Sequence, residues 1–115
     1  MPHDPRKSLE DIRHAVRLTS QFVSGRSFSS FVADELLHAA IERELTIIGE
    51  AMVRLKKTAP TIADQISECR QIIAFRNVLI HGYDIVDDTV VWDVVTNHLP
   101  VLGQRVEQLL AALTP

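Results

Sequence analysis

Four residues whose side chains can do chemistry lie close together in the run Phe75-Arg-Asn-Val-Leu-Ile-His-Gly-Tyr83: Arg76, Asn77, His81 and Tyr83. On a helix that advances about 100° per residue, these four fit within an arc of about 160°. The residues that fill the opposite side are apolar: Phe75, Val78 and Leu79. The spacing therefore predicts a helix end with one polar face.

The residue types on this face suit the cleavage of an RNA strand without a metal. A neutral histidine can remove the proton from a ribose 2′-hydroxyl, and an arginine guanidinium can stabilise the charge that develops on the phosphate. The first product would be a 2′,3′-cyclic phosphate. The leaving 5′-oxygen also needs a proton donor, so a single His81 supplies only one of the two groups that the reaction requires. Two chains paired about a twofold axis would bring two copies of Arg76 and His81 into one cleft.

The same residues also have a purely structural interpretation. A histidine near a helix C-terminus is favoured by the helix dipole and by the free carbonyl groups there. Arg76 could equally form a salt bridge with a neighbour such as Glu68 or Asp84. Residue spacing alone does not separate the two interpretations.

The segment from Arg76 to Tyr83 resembles the RN-x4-H-x-Y signature of the HepT-like branch of the HEPN proteins, formerly described as DUF86. The resemblance extends over nearly the whole chain. It includes, in order, Leu9-Glu-Asp-Ile-Arg, Ser27-Phe-Ser-Ser-Phe, Ile47-Ile-Gly-Glu-Ala51, Val90-Val-Trp92 and Leu99-Pro-Val-Leu102. Several separated matches in one order are more specific than the short motif, so the chain is identified as a member of this family.

The resemblance implies a single HEPN-like helical domain over residues 1–115 that forms a homodimer. It implies the toxin of a type VII toxin-antitoxin system, with a metal-independent endoribonuclease site in the dimer cleft. Arg76 and His81 would be catalytic, and Asn77 would help to orient them. The partner would be a minimal nucleotidyltransferase antitoxin, which uses ATP to attach AMP to Tyr83 and so blocks the site.

A different class of function stays open, in which the protein is a non-catalytic binding module. It would pair with a nucleotidyltransferase and hold a nucleotide or another substrate. The formal net charge of -3 favours this alternative, because a net negative chain meets phosphates only locally. The acidic residues Asp84, Asp87 and Asp88 follow the motif closely, so RNA affinity is expected to be modest.

Length and composition bound the remaining possibilities. A chain of 115 residues with 46% hydrophobic and 23% charged residues is typical of one globular domain. Cys69 is the only cysteine, which favours a reducing cytoplasm, and no apolar run is long enough to predict a membrane span or a signal peptide. We therefore expect a cytoplasmic protein with no membrane partner. The resemblance implies an RNA substrate, and no DNA partner is expected.

The elements that must position the polar face are predicted to be helices, because strict apolar alternation is almost absent. The first helix is predicted over about Pro5 to Ser24, with Asp4 as its N-cap and Gly25 at its C-terminal cap. Its apolar stripe recurs at three- and four-residue steps and consists of Leu9, Ile12, Val16, Thr19 and Val23.

A long second helix is predicted from a cap at Ser29 or Ser30 to the region of Lys56 and Lys57. Gly49 falls in the middle of this helix. An interior glycine costs about 1 kcal/mol relative to alanine, so it indicates either close helix packing or a mild kink.

The third helix is predicted over about Ile66 to Ile80, after a connector that begins at Pro60. Asp87 or Asp88 would cap a fourth helix, which Pro100 is expected to kink or break near Asn97. The predicted fold is all-α, an up-and-down bundle of four to five helices.

Other candidate sites are weaker. His38, Glu42, Glu44 and Glu50 suggest a carboxylate metal site, but the di-iron bundle pattern needs Glu-x-x-His pairs on two helices, which this chain does not supply. A solvated helix face is the better interpretation, and neither a metal nor a cofactor is predicted.

Further residues have two interpretations or a structural one. Arg54, Lys56 and Lys57 suit either an RNA contact or, more simply, a charge cluster at a helix end. Cys69 is interpreted as a packing residue. Trp92 suits either a dimer interface or the core, and the sequence does not decide.

Overall fold

The computed structural model of the protein describes residues 4–82 and 86–113. Within these ranges all regular elements are helical and there is no strand, which confirms the predicted all-α class. The α-helices are α1 (Pro5–Val23), α2 (Phe28–Ala33), α3 (Glu35–Thr58), α4 (Pro60–Ala63), α5 (Cys69–His81), α6 (Asp88–Asp93) and α7 (Leu99–Leu113).

Helix α3 lies at the centre of the bundle, because it packs against both α1 and α5. Helix α1 in turn packs against α7. The long helices therefore follow one another in space in the order α5, α3, α1 and α7. No helix in the part of the chain that the structure describes is both long and apolar enough to cross a membrane.

The core lies mainly where α1, α3 and α7 meet. Its fully buried side chains include Leu9 and Ile12 of α1, Ile48 and Met52 of α3, and Val106 of α7. Burying such a side chain stabilises the fold by about 1.5–3 kcal/mol. Helix α5 contributes a single buried residue, so it lies at the edge of this core.

Helix α1 begins and ends as the sequence predicts. The Asp4 side chain accepts a hydrogen bond of 2.9 Å from the backbone N–H of Arg6, and Pro5 occupies the first helical position. Gly25 follows the helix with a φ of +75°, in the left-handed region that glycine adopts without strain.

The predicted start of the long second helix at Ser29 or Ser30 is wrong. Ser27 caps the short helix α2 through a reciprocal pair of bonds with Ser30, a capping box. Asp34 then caps α3, because its carboxylate accepts a 3.0 Å bond from the backbone N–H of Leu37. The chain thus turns once more than the apolar pattern indicates.

The third helix also begins later than predicted, at Cys69 rather than Ile66. Residues 60–63 of the expected connector form the short helix α4. The end of α5 at His81 agrees with the prediction within one residue.

The interruption predicted near Asn97 is a widened turn rather than a break. Asp87 caps α6, and a π-helical turn over Val94–His98 joins α6 to α7. The N–H of Leu99 donates to the carbonyl of Val94, five residues back. This wider turn carries the helix to Pro100, which has no N–H to donate.

Candidate functional site on helix α5

The predicted polar face lies on α5, with two differences from the prediction, at Val78 and at Arg76. Leu79 is buried and Phe75 is half-buried, as expected for the apolar side. Val78, which was also assigned to that side, is 39% exposed. The reason is that α5 packs on α3 along one narrow stripe, so the apolar side is only partly covered.

Arg76 lies on the stripe that contacts α3, directly against Gly49. A Cβ placed on Gly49 would overlap the Cβ and Cγ of Arg76. The missing side chain therefore lets the two helices approach closely at this point. Of the two interpretations that the sequence allows for this interior glycine, the structure shows close helix packing.

The Arg76 guanidinium is held on one side by its neighbour in the chain. Its Nη1 donates a hydrogen bond of 2.7 Å to Oδ1 of Asn77. Its Nε is buried and has no hydrogen-bond partner among residues 4–82 and 86–113. The two predicted residues are thus brought together, and one N–H of the guanidinium is left buried without an acceptor among the described residues.

His81 is the last residue of α5 and is exposed to solvent. Gly82 ends the helix, and its N–H donates a bond of 2.7 Å to the carbonyl of Val78. At 1.5 Å per residue, His81 lies about 7.5 Å along the axis from Arg76, so the two do not touch directly. A group that contacts both must span this gap. Tyr83, the fourth predicted site residue, lies outside the described residues.

The alternative salt bridge from Arg76 to Glu68 does not form. Glu68 Oε2 lies 3.6 Å from Nδ1 of His98 instead. Asp84, the other suggested partner, falls outside the described residues. In the described ranges, Arg76 forms no ion pair.

His38, on the face of α3 that was suggested to bind a metal, contacts α6 instead. His38 Nε2 lies 2.7 Å from Asp88 Oδ1, and its ring packs against Phe31 with centroids 4.2 Å apart and the ring planes tilted by 36°. This contact ties α3 to the start of α6, and sequence reasoning missed it because 50 residues separate the partners. In the ranges that the structure covers, no group of three or more His, Cys, Asp or Glu side chains is arranged to hold a metal ion.

Trp92 and Cys69 both pack against other residues of the chain. The Trp92 ring stacks on Phe31 with centroids 5.2 Å apart, so it packs within its own chain. Cys69 is half-buried, and this burial raises the pKa of its thiol. A raised pKa disfavours the reactive thiolate, in agreement with the packing role predicted for Cys69.

The comparisons with known proteins agree on one family. The Ribonuclease HepT-like family matches residues 12–109, so the chain belongs to this family. "Putative RNase TTE0752" of Caldanaerobacter subterraneus subsp. tengcongensis is 33% identical over 106 residues, 92% of this chain and 94% of the relative. "Probable ribonuclease HepT" of Thermococcus cleftensis is 34% identical over 101 residues, 88% and 91% of the two chains. No solved structure gives a significant match.

Proposed function

We propose that the protein is a metal-independent endoribonuclease in which Arg76 and His81 are catalytic and Asn77 orients Arg76. His81 removes the proton of a ribose 2′-hydroxyl, and the oxygen attacks the adjacent phosphorus. The bond from phosphorus to the 5′-oxygen then breaks, and the leaving oxygen takes up a proton. The products are a 2′,3′-cyclic phosphate and a 5′-hydroxyl. Family membership and the ribonuclease names of the two relatives above 30% identity support this proposal.

The observation that carries the proposal is the state of the Arg76 guanidinium. A buried N–H without an acceptor destabilises a protein, and Arg76 Nε is such a group among the residues described. A phosphate oxygen is a strong acceptor for a guanidinium and forms a charge-assisted bond. Asn77 fixes Nη1, and a shift of the side chain that exposes Nε would let the guanidinium bind the developing charge of the transition state.

The reaction requires an acid as well as a base, and each chain supplies one His81. We therefore place the active site between two copies of the chain, where the second His81 protonates the leaving 5′-oxygen. The surface of α5 supports this arrangement, because Val78 and Ile80 are 39% and 40% exposed. A second copy would cover these apolar side chains.

The proposal includes control by a partner. A minimal nucleotidyltransferase antitoxin transfers AMP from ATP to the phenol oxygen of Tyr83 and releases pyrophosphate. Tyr83 follows His81 by two residues, so the added phosphate would stand beside the RNA path. Its negative charge and its volume would exclude the substrate. The protein would then act as the toxin of a type VII toxin-antitoxin pair.

The experiment that tests the proposed function is RNA cleavage in excess EDTA. Purified full-length protein is first weighed by intact-mass spectrometry, so that only material without AMP is used. We expect the wild type to cleave total RNA and to leave 2′,3′-cyclic phosphate ends. His81→Ala is expected to slow cleavage by about 100-fold or more, since it removes the acid and the base.

His14→Ala is the matched control, because His14 is another exposed histidine but lies on α1, away from α5. It is expected to cleave RNA at the wild-type rate. Equal cleavage by His81→Ala and wild type would overturn the catalytic assignment. An unmodified wild type that leaves every RNA intact would instead support the non-catalytic binding module.

A further inference from the structure

The positive charges of the chain are unevenly compensated. On α1, Lys7 reaches Asp11 at 2.8 Å, and Arg13 and Arg17 lie 3.6 Å and 3.5 Å from Glu107. On α5 and on the last turn of α3, the cations have no carboxylate within 4.0 Å in the described part of the chain. These cations are Lys56, Lys57, Arg70 and Arg76. Arg6, Arg43 and Arg105 also have no carboxylate within this distance in the described ranges, but they are spread over α1, α3 and α7. Lys56, Lys57, Arg70 and Arg76 instead lie along α5 and the adjacent end of α3, although the chain as a whole carries -3.

Arg70 shares a helix face with Asn77 and His81. Arg70, Ala74, Asn77 and His81 follow one another at steps of four, three and four residues, which places them in one stripe along α5. All four are exposed. The small side chain of Ala74 leaves the middle of this stripe open, so a strand lying on it meets no bulky group between Arg70 and Asn77.

The stripe ends in a cleft at the far end of α5 from His81. The cleft has a volume of about 380 Å³ and its lining includes Lys56, Asp64 and Arg70. Lys56 belongs to the last turn of α3, so two helices contribute a cation to the same cleft. With two cations and one carboxylate, these lining charges leave a net positive site.

We propose that the stripe Arg70–Ala74–Asn77–His81 and the cleft of Lys56 and Arg70 form a binding track for the RNA backbone. The inference rests on the proposed function and adds where the strand runs: from the cleavage point at His81 toward the N-terminal end of α5. Arg70 and Lys56 contact phosphates away from the reacting atoms. Arg70 is thus a binding residue for the substrate, and it takes no part in the chemical step.

The length of the track gives the proposal a specific consequence. Arg70 and His81 are 11 residues apart in sequence, which is about 16 Å along a helix. At about 3.4 Å per phosphate along a stacked strand, the track spans about five phosphates. A dinucleotide is too short to reach Arg70 from the cleavage point, whereas a strand of 12 nucleotides reaches it.

The experiment compares wild type and Arg70→Ala with two probes, a dinucleoside monophosphate and a 12-nucleotide single-stranded RNA. For the 12-mer, Arg70→Ala is expected to raise KM by about three- to tenfold and to leave kcat unchanged. For the dinucleotide, both proteins are expected to give the same kcat/KM. In a His81→Ala background, the slope of log Kd for the 12-mer against log salt should fall by about 0.7 for the lost contact.

Arg105→Ala and Asp64→Asn provide matched controls. Arg105 is an exposed arginine on α7, outside the proposed track, so its removal is expected to leave both KM values unchanged. Asp64→Asn removes the carboxylate of the cleft and is expected to tighten binding of the 12-mer. An equal loss for both probes, or an unchanged salt slope, would overturn the track. If the unmodified wild type neither cleaves nor binds any RNA, the proposed function itself fails, which is a separate result.

Discussion

Helices α1 and α5 are both long and both pack against α3, but the chain uses them differently. Helix α1 buries five of its 19 residues, among them Leu9 and Ile12 at 0% exposure. Helix α5 buries only Leu79 among its 13 residues. One helix therefore stabilises the fold, and the other lies at its edge with most of its surface free for other contacts.

The polar groups of the two helices differ in the same way. On α1, Lys7, Arg13 and Arg17 reach carboxylates, and Arg6 donates to the carbonyl of Leu113. Arg70 and Arg76 of α5 reach none within the described ranges, and Arg76 Nε is buried without an acceptor there. Among the described residues, the difference teaches that the fold gives each cation of α1 a partner and leaves Arg70 and Arg76 of α5 without a carboxylate.

The largest expected effect on stability comes from the core side of this comparison. Ile12→Ala is expected to lower the free energy of unfolding by about 2–5 kcal/mol, because the cavity lies at a fully buried position. Urea denaturation followed by circular dichroism measures it. Leu79→Ala, at the edge of the core, should lower the free energy of unfolding by less. In Ile12→Ala, RNA cleavage per folded molecule should not change. A loss of less than about 1 kcal/mol would contradict the assignment of α1 to the core.

For the contact between α5 and α3, the largest expected effect on activity comes from Arg76→Lys. Lysine keeps the charge and the apolar stem that lies on Gly49, but it lacks the planar fork and the Nε–H. We expect kcat to fall by about 100-fold with the unfolding free energy changed by less than about 1 kcal/mol. Single-turnover cleavage and urea denaturation of the same samples measure the two quantities. Wild-type kcat in this variant would show that the guanidinium geometry is not used.

Gly49→Ala is expected to lower activity less, by about tenfold. The added Cβ would meet the Cβ and Cγ of Arg76, so α5 must shift and carry the guanidinium with it. Gly103→Ala is the matched control, because a Cβ there would meet only Val16 Cγ1, at 3.1 Å. Both variants are assayed by RNA cleavage. Equal activity in the two would show that the close approach at Gly49 does not position Arg76.

The smallest expected effect is on the pH dependence of stability, through Asp34, the N-cap of α3. The hydrogen bond from the backbone N–H of Leu37, with help from Arg26, lowers the pKa of Asp34 below its ordinary value of 3.8. A lowered pKa means that ionised Asp34 stabilises the fold fully above that value, and that this contribution is lost as pH falls through the native pKa. Asp34→Asn keeps a good capping residue without the charge. Its urea midpoint should therefore fall less than that of the wild type between pH 5 and pH 3, and an equal fall would contradict the role of the charge.

The sequence predicts the fold well wherever a helix boundary carries its own chemical signal. The Asp4 cap, the proline at position 5 and Gly25 locate α1 to within one residue. The division between α2 and α3 could not be predicted, since Ser27, Ser30 and Asp34 are all good caps in one short segment. Choosing among them depends on how α2 packs against α3 and α6, which a local pattern does not contain.

The candidate site is predictable only where its contacts are local in sequence. The pairing of Arg76 with Asn77 follows from their being neighbours, but the contact of Arg76 with Gly49 is a tertiary one. Its only sequence signal is a glycine inside a helix, which also fits a kink. The link between His38 and Asp88 has no local signal, because its partners lie on different helices.

Binding of an RNA phosphate by the Arg76 guanidinium, which forms no ion pair among the described residues, is the step on which the proposed function depends most. The direct measurement is a titration of ¹⁵N-labelled protein with a 12-nucleotide RNA carrying 2′-O-methyl groups, which cannot be cleaved. The Arg76 Nε–H resonance is followed, and it is assigned by its absence in Arg76→Lys. We predict that this resonance shifts and saturates at the same RNA concentration as binding measured by fluorescence anisotropy. A resonance that does not move when the protein is saturated with RNA would contradict the account.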